Sequence, residues 1–105
     1  MNNSQNPLVS IVIPLYNEEA VFERLINRLD QVLESFEPAT EVVLIDDGSS
    51  DKTAELMRNK CLSDARYTGL FLSRNHGHQL ALSAGLSHAR GSQAIMVLDG
   101  DLQDP

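Results

Sequence analysis

The stretch EVVLIDDGSSDKT, residues 41–53, joins an apolar run to an acidic turn and a candidate helix start. The run is rich in β-branched residues and lacks polar alternation, which is typical of a strand buried on both faces. Asp46 and Asp47 follow it at once, and a side-chain oxygen of Asp51 can cap the free N–H groups of the next helix. The stretch therefore predicts a strand that ends in carboxylates and turns into a helix.

Three further apolar runs indicate strands of the same kind, at residues 9–15, 67–72 and 93–98. Helical spacing lies between the runs, so the predicted order is β-α-β-α-β-α-β. The first helix has an apolar stripe at intervals of three and four and ends before Pro38. That stripe consists of Phe22, Leu25, Ile26, Leu29, Val32, Leu33 and Phe36.

The third helix begins near His78 and carries small residues where it would face a sheet. Ala81, Ala84 and Gly85 have a spacing that permits close approach of helix and sheet. Gly91, just past the helical segment, is expected to adopt the left-handed conformation that ends many helices. This segment therefore predicts a helix packed tightly on the sheet.

Strands that alternate with helices connect into a largely parallel sheet covered on both faces. The predicted fold is α/β, a Rossmann-like three-layer α/β/α arrangement around about four strands. Residues 9–105 would form it after a polar lead at residues 1–8. Ligands of such sheets bind beyond the carboxyl ends of the strands. Four segments would share that crevice: PLYNEE, DDGSSD, SRNHGH and DGDLQDP.

Composition excludes several classes of function. The 105 residues include 8 basic and 15 acidic side chains, and the net charge of -7 offers no footprint for nucleic acid or anionic lipid. The single Cys61 permits no internal disulfide, which favours a reducing, cytoplasmic setting. The first residues do not resemble a signal peptide, and no apolar run reaches the roughly 20 residues of a membrane helix.

Six carboxylates would converge from three strand ends, where they repel one another unless a cation binds. They are Glu18, Glu19, Asp46, Asp47, Asp99 and Asp101. Asp99, Asp101 and Gln103 alternate, so an extended backbone would point their side-chain oxygens the same way. Oxygen ligands suit Mg²⁺ or Mn²⁺, which share their other positions with waters and substrate phosphates. Arg74, in the third segment, suits a diphosphate.

Each segment also has a plain structural interpretation. Asp-Gly and Asp-Pro pairs are common in turns, and DDGSSD can be only a turn and a helix cap. Asn17 and the two glutamates after it can simply start a helix. His76 and His78 lack the further ligands that a zinc site needs. The same fold also suits a non-catalytic module that binds a nucleotide or metal, or that acts as a scaffold.

Four ordered motifs resemble the N-terminal half of the inverting family 2 glycosyltransferases, which have the GT-A fold: VSIVIPLYNEE, EVVLIDDGSSDKT, LSRNHGHQLALSAGLSHARG and VLDGDLQDP. Within that family, RNHGHQ and DGDLQDP look most like the bacterial polyprenyl-phosphate glycosyltransferases, relatives of dolichol-phosphate mannose synthase. The resemblance implies inverting transfer of a sugar from a nucleotide-diphospho-sugar, with a UDP-sugar favoured over a GDP-sugar. The acceptor would be a polyprenyl phosphate or a saccharide.

The resemblance also implies roles for individual residues. The base and ribose of the donor would lie beside Pro14, Tyr16, Asn17 and Glu18, with Asp46 reading the base and Asp47 in the same nucleotide site. In the DxD-type motif, the candidate catalytic residues are Asp99, near the ribose and the metal, and Asp101, a ligand of Mg²⁺ or Mn²⁺. Gln103 would assist Asp101 at the metal. Arg74 matches a position near the diphosphate.

Family members continue beyond these motifs with further strands, an acceptor-binding region and, in the lipid-phosphate branch, amphipathic or transmembrane segments. The sequence is therefore expected to be the donor-binding half of a truncated domain, inactive by itself, from a protein at the cytoplasmic face of the membrane. An unpaired sheet edge would favour homo-oligomers.

Overall fold

Strands and helices alternate through the described part of the chain, as the apolar runs predict. The computed structural model describes residues 7–36, 38–73, 78–91 and 94–98. Its elements are β1 (Val9–Leu15), α1 (Phe22–Ser35), β2 (Thr40–Asp46), α2 (Thr53–Ser63), β3 (Tyr67–Phe71), α3 (His78–His88) and β4 (Ala94–Val97). The predicted element order is confirmed, and the strand ends differ from the predicted ones by at most one residue.

The four strands form one parallel sheet in the order β3-β2-β1-β4. The chain first moves outward from β1 to β3 and then crosses back to place β4 on the other side of β1. The strand order therefore reverses between β1 and β4. In open parallel sheets this reversal opens a crevice at the carboxyl ends of the strands, where ligands bind.

Helices cover both faces of the sheet. On one face α1 and α2 pack on alternate strand residues, among them Ile11, Ile13 and Leu44. On the other face the buried cluster joins Ala81 of α3 to Val12, Val43 and Ile45. The three-layer α/β/α arrangement predicted from the sequence is confirmed.

The apolar stripe of α1 is confirmed in its central part and wrong at two positions. Its buried residues are Phe22, Leu25, Ile26, Leu29 and Leu33. Val32 is 48% exposed and Phe36 is 41% exposed. Val32 lies at the flank of the stripe, and Phe36 follows the last helical residue with extended backbone, so its side chain leaves the helix face.

Close approach of α3 to the sheet is confirmed at Gly85. A Cβ atom there would lie 2.5 Å from Val12 Cγ1 and 2.6 Å from Ile45 Cδ1. The left-handed stop expected at Gly91 is wrong, because positive φ among the described residues occurs at Asn17 and Gly48. The N–H of Gly91 instead donates to Ser10 Oγ at 2.7 Å, which fixes the chain at the amino end of β1.

Within the described parts of the chain, no helix combines the length and the apolar character needed to cross a membrane. The N–H of Leu8 donates to the Ala39 carbonyl at 2.9 Å, and its side chain packs against the core. Leu8 therefore joins the packing of the sheet directly before β1.

Candidate nucleotide site at the carboxyl ends of the strands

Two buried carboxylates mark the carboxyl end of β2. Asp46 and Asp47 are each 4% exposed. The N–H of Asp47 donates to the Leu15 carbonyl at 2.9 Å, and the N–H of Leu72 donates to the Asp46 carbonyl at 2.9 Å. Backbone pairing to both neighbouring strands therefore holds this acidic pair at the centre of the sheet edge, as the DDGSSD motif predicts.

A tight turn folds the chain back over Asp46. Gly48 has φ 77°, a left-handed conformation that glycine adopts without steric cost. The turn brings the N–H of Ser49 to Asp46 Oδ1 at 3.1 Å. The Asp46 carboxylate is thus oriented by a backbone donor of its own loop before any ligand binds.

The segment after β1 lies against this turn. Tyr16, the first residue after β1, is 43% exposed, whereas Pro14 is buried within β1 opposite Ile45. Asn17 has φ 53°. Its Oδ1 accepts hydrogen bonds from the N–H groups of Ser50 at 2.8 Å and Asp51 at 3.4 Å.

The side chain of Asn17 therefore holds the loop after β2. The sequence allows two interpretations of Asn17, as a nucleotide contact and as a cap of α1. The N-cap position of α1 is Val21, with no side-chain cap hydrogen bond, so the capping reading is not supported. Asn17 also donates its own N–H to Ser49 Oγ at 2.8 Å, which makes it a link between two strand-end loops.

Two further residues of the first loop bond to the start of α2. The N–H of Glu18 donates to Thr53 Oγ1 at 2.8 Å. The N–H of Glu19 donates to Asp51 Oδ2 at 3.1 Å, and Glu19 Oε1 accepts from the N–H of Lys52 at 3.2 Å. Glu19 thereby satisfies a donor at the start of α2, a role that the sequence analysis did not assign to it.

Asp51 accepts a free N–H at the start of α2, as predicted, although the N-cap position itself is Lys52. Its Oδ1 accepts from the N–H of Thr53 at 2.9 Å and from Thr53 Oγ1 at 2.6 Å. Burial by itself raises the pKa of Asp51, but the hydrogen bonds from Thr53 and from the N–H of Glu19 hold that pKa below its ordinary value. Thr53 was not among the predicted site residues, although its position just after the DDGSSD motif is the signal that could have indicated it.

The predicted metal ligands, Asp99, Asp101 and Gln103, lie outside the described residues, as does Arg74, the predicted diphosphate contact. The described residues alone contain no group of three His, Cys, Asp or Glu side chains placed to hold a metal ion. The N–H of Leu98 donates to the Val12 carbonyl at 3.1 Å, so the pairing of β1 with the last strand continues as far as the residue before Asp99.

Comparison with known proteins identifies the family. The family model described as Glycosyl transferase family 2 matches residues 10–105. YkcC of Bacillus subtilis, described as an uncharacterized glycosyltransferase, is 44% identical over 96 residues, 91% of this chain and 29% of that protein. The undecaprenyl-phosphate 4-deoxy-4-formamido-L-arabinose transferase of Aeromonas hydrophila is 42% identical over 106 aligned positions, 100% of this chain and 32% of that protein. The chain thus spans about a third of the length of these relatives.

Solved structures share the fold. The mannosyltransferase PcManGT from Pyrobaculum calidifontis, in complex with GDP-Man and Mn²⁺, superposes with a TM-score of 0.75 at 28% identity, over 93% of this chain and 28% of that one. Residues 1–349 of TarS from S. aureus, in complex with UDP, superpose with a TM-score of 0.73 at 26% identity, over 89% of this chain and 27% of that one. Together with the match across residues 10–105, these likenesses show that the chain belongs to glycosyltransferase family 2.

Proposed function

We propose that the protein transfers a sugar, with inversion, from a UDP-sugar to a polyprenyl phosphate, and that residues 9–105 provide its donor-nucleotide and metal site. One observation carries the proposal for the donor. The loops after β1 and β2 are hydrogen-bonded to each other at the carboxyl ends of the strands, and β1 is one of the two strands between which the strand order reverses. The loop after β2 also orients Asp46 through the N–H of Ser49. The carboxyl ends of the strands are where open parallel sheets bind ligands.

The nucleotide would lie between the two loops. The carboxylate of Asp46 is suited to accept hydrogen bonds from a base N–H, and it is already held by the N–H of Ser49 at 3.1 Å. The exposed ring of Tyr16 offers a surface on which a base or ribose can stack. The UDP-bound and GDP-Man-bound structures that share this fold support a nucleotide ligand.

The metal would be held by the DGDLQDP motif. Asp101 is the proposed ligand, with Gln103 assisting and Asp99 near the ribose, and their oxygens suit Mg²⁺ or Mn²⁺. The Mn²⁺ in the PcManGT structure supports a divalent ion. Such an ion stabilises the negative charge that develops on the diphosphate leaving group. Arg74 would hold the same diphosphate through its guanidinium.

The acceptor proposal rests on the relatives named undecaprenyl-phosphate transferases. A phosphate acceptor is already an anion at neutral pH, so its attack on the anomeric carbon requires little deprotonation and no strong general base. With a polyprenyl acceptor, we propose that the complete enzyme acts at the cytoplasmic face of the membrane. Because the chain spans about a third of its relatives' length, we propose that it binds the donor without turnover by itself. Measurable sugar transfer by the 105 residues alone would contradict this.

Calorimetric titration tests the donor and metal site. The chain is titrated with UDP and with GDP, each with and without Mn²⁺, and the titrations are repeated on Asp101→Asn and, as a matched control, Asp104→Asn. We expect Mn²⁺-dependent binding of UDP that is lost in Asp101→Asn and retained in Asp104→Asn. If the folded chain binds neither nucleotide, the donor-site proposal is wrong, and binding that survives Asp101→Asn contradicts the metal assignment.

A further inference from the structure

Thr53 lies at the centre of the contacts that join the two strand-end loops. It is 0% exposed and is the first residue of α2. Its Oγ1 accepts the N–H of Glu18 at 2.8 Å and donates to Asp51 Oδ1 at 2.6 Å. The second oxygen of that carboxylate accepts the N–H of Glu19 at 3.1 Å. We call Glu18, Glu19, Asp51 and Thr53 the loop clasp.

The loop clasp begins where the sheet stops. Register pairing of β1 with β2 ends at Leu15 and Asp46, and the last backbone hydrogen bond of that pair joins the N–H of Asp47 to the Leu15 carbonyl. Beyond this point no register pairing fixes the distance between the two loops that follow β1 and β2. Side chains of the second loop take over by accepting the backbone N–H groups of the first.

Both loops carry residues that the proposed function assigns to the nucleotide. Tyr16 lies two residues before the clasped segment of the first loop, and Asp46 is the last residue of β2, directly before the second loop. The clasp therefore sets the separation between the two sides of the proposed nucleotide site. Binding sites that are rigid before the ligand arrives lose less free energy in ordering on binding.

We infer that Thr53 is a positioning residue for the nucleotide: its buried hydroxyl fixes the loop that carries Tyr16 without touching the ligand. The inference rests on the proposed function. Because Thr53 is 0% exposed, its side chain presents no surface to a ligand. Substituting this side chain therefore does not remove a direct ligand contact. Any effect on nucleotide affinity must then pass through the loop clasp.

Two substitutions at Thr53 distinguish the effect of its hydroxyl group from the effect of its packing. Thr53→Val keeps the volume and removes the hydroxyl, whereas Thr53→Ser keeps the hydroxyl and removes a methyl group. The matched control is Thr40→Val, since Thr40 Oγ1 donates to the Pro38 carbonyl at 2.9 Å at the opposite end of the sheet. Each variant is titrated with UDP and Mn²⁺ and unfolded in urea, and amide hydrogen exchange is measured at Glu18 and Glu19.

Thr53→Val is expected to weaken UDP binding roughly tenfold, the effect of about one lost hydrogen bond, and to speed exchange at Glu18 and Glu19. Thr53→Ser should bind like the wild type even though the missing methyl group lowers its stability, and Thr40→Val should bind normally. Equal affinity in the wild type and Thr53→Val overturns the inference alone. Absence of UDP and GDP binding in the folded wild type overturns the proposed function and this inference with it.

Discussion

The two ends of the same sheet hold their carboxylates in opposite ways. At the amino end, carboxylates pair with cationic side chains: Glu41 with Arg90 at 3.2 Å, and Asp64 with Arg66 at 2.6 Å. At the carboxyl end, Asp46 and Asp51 accept hydrogen bonds from neutral backbone N–H groups and a hydroxyl. The carboxylates at the amino end are therefore held by cationic side chains, whereas Asp46 and Asp51 are held by neutral donors.

The amino-end pairs tie elements together on both faces of the sheet. On the face covered by α1 and α2, Asp30 of α1 accepts from Lys60 of α2 at 2.9 Å and from the hydroxyl of Tyr67 in β3 at 2.7 Å. On the face covered by α3, Glu41 joins β2 to Ser10 of β1 and to Arg90. The comparison teaches that ion pairs at the amino end stabilise the fold, whereas the carboxyl end is where we propose that a cation and a nucleotide bind.

The largest effect on stability is expected from Glu41→Ala. Glu41 is 5% exposed, and its carboxylate accepts the Ser10 hydroxyl, the N–H of Arg90 at 2.6 Å and the Arg90 guanidinium at 3.2 Å. Removing it leaves buried donors without an acceptor and opens a cavity, at a cost of about 3 kcal/mol in the free energy of unfolding. Urea unfolding measures this cost.

Glu55→Ala on the exposed face of α2 is the matched control and should change stability by less than about 0.5 kcal/mol. The folded Glu41→Ala protein should still bind UDP, because Glu41 lies five strand residues, about 16 Å, from Asp46. Loss of UDP binding in that variant, at a temperature where it is folded, would break the proposed division between the two ends.

An effect of intermediate size is expected from acid. Hydrogen bonding to Arg66 holds the pKa of Asp64 well below its ordinary value of 3.8. Burial raises the pKa of Asp30, but hydrogen bonds from Tyr67 and Lys60 bring it below the ordinary value. A carboxyl with a depressed folded-state pKa stabilises the fold above its unfolded pKa and loses that contribution as the pH falls toward its folded pKa. Stability should therefore be level near pH 6 and fall by roughly 2 kcal/mol toward pH 2.

The variant Asp64→Asn tests the assignment of this acid sensitivity. Its free energy of unfolding at pH 6 should be lower than that of the wild type, while the fall between pH 5 and pH 2 should be shallower, because one depressed carboxyl no longer titrates. Urea unfolding curves at several pH values supply both quantities. An unchanged slope would show that acid acts elsewhere, in conflict with a stabilising role for the amino-end pairs.

Much of the fold could be predicted because it depends on local patterns. The run at Val9–Leu15 gave the bounds of β1, and the stripe from Phe22 to Leu33 gave the buried face of α1. The prediction for Phe36 was wrong because the apolar periodicity continues to Phe36, whereas the helix ends at Ser35. The pairing of Asp30 with Lys60 and Tyr67 joins residues at least 30 positions apart, so no sequence pattern within one element contains it.

The candidate site was predicted at the level of segments and less well at the level of contacts. Strand-end motifs correctly brought the loop at Tyr16 to the loop at Asp46, since parallel strands share their carboxyl edge. What the Asn17 side chain binds depends on register: Leu15 pairs with Asp46, which places Asn17 beside the turn at Ser50. The roles of Arg74, Asp99, Asp101 and Gln103 stay predictions.

The smallest effect on stability, and a large one on binding, is expected from Asp46→Asn. The amide keeps the shape of the carboxyl group and an Oδ1 that can accept the N–H of Ser49, which lies 3.1 Å from Asp46 Oδ1 in the wild type. The free energy of unfolding should therefore change by less than about 1 kcal/mol. The lost negative charge should weaken UDP binding roughly tenfold or more, because hydrogen bonds to an ionised acceptor are about twice as strong as neutral ones. Urea unfolding and calorimetric titration of this variant beside Glu41→Ala give a crossed test. The opposite result would be a large loss in the free energy of unfolding of Asp46→Asn, with the UDP affinity of the folded fraction unchanged. The carboxyl end would then be structural as well, and the contrast between the two ends of the sheet would fail.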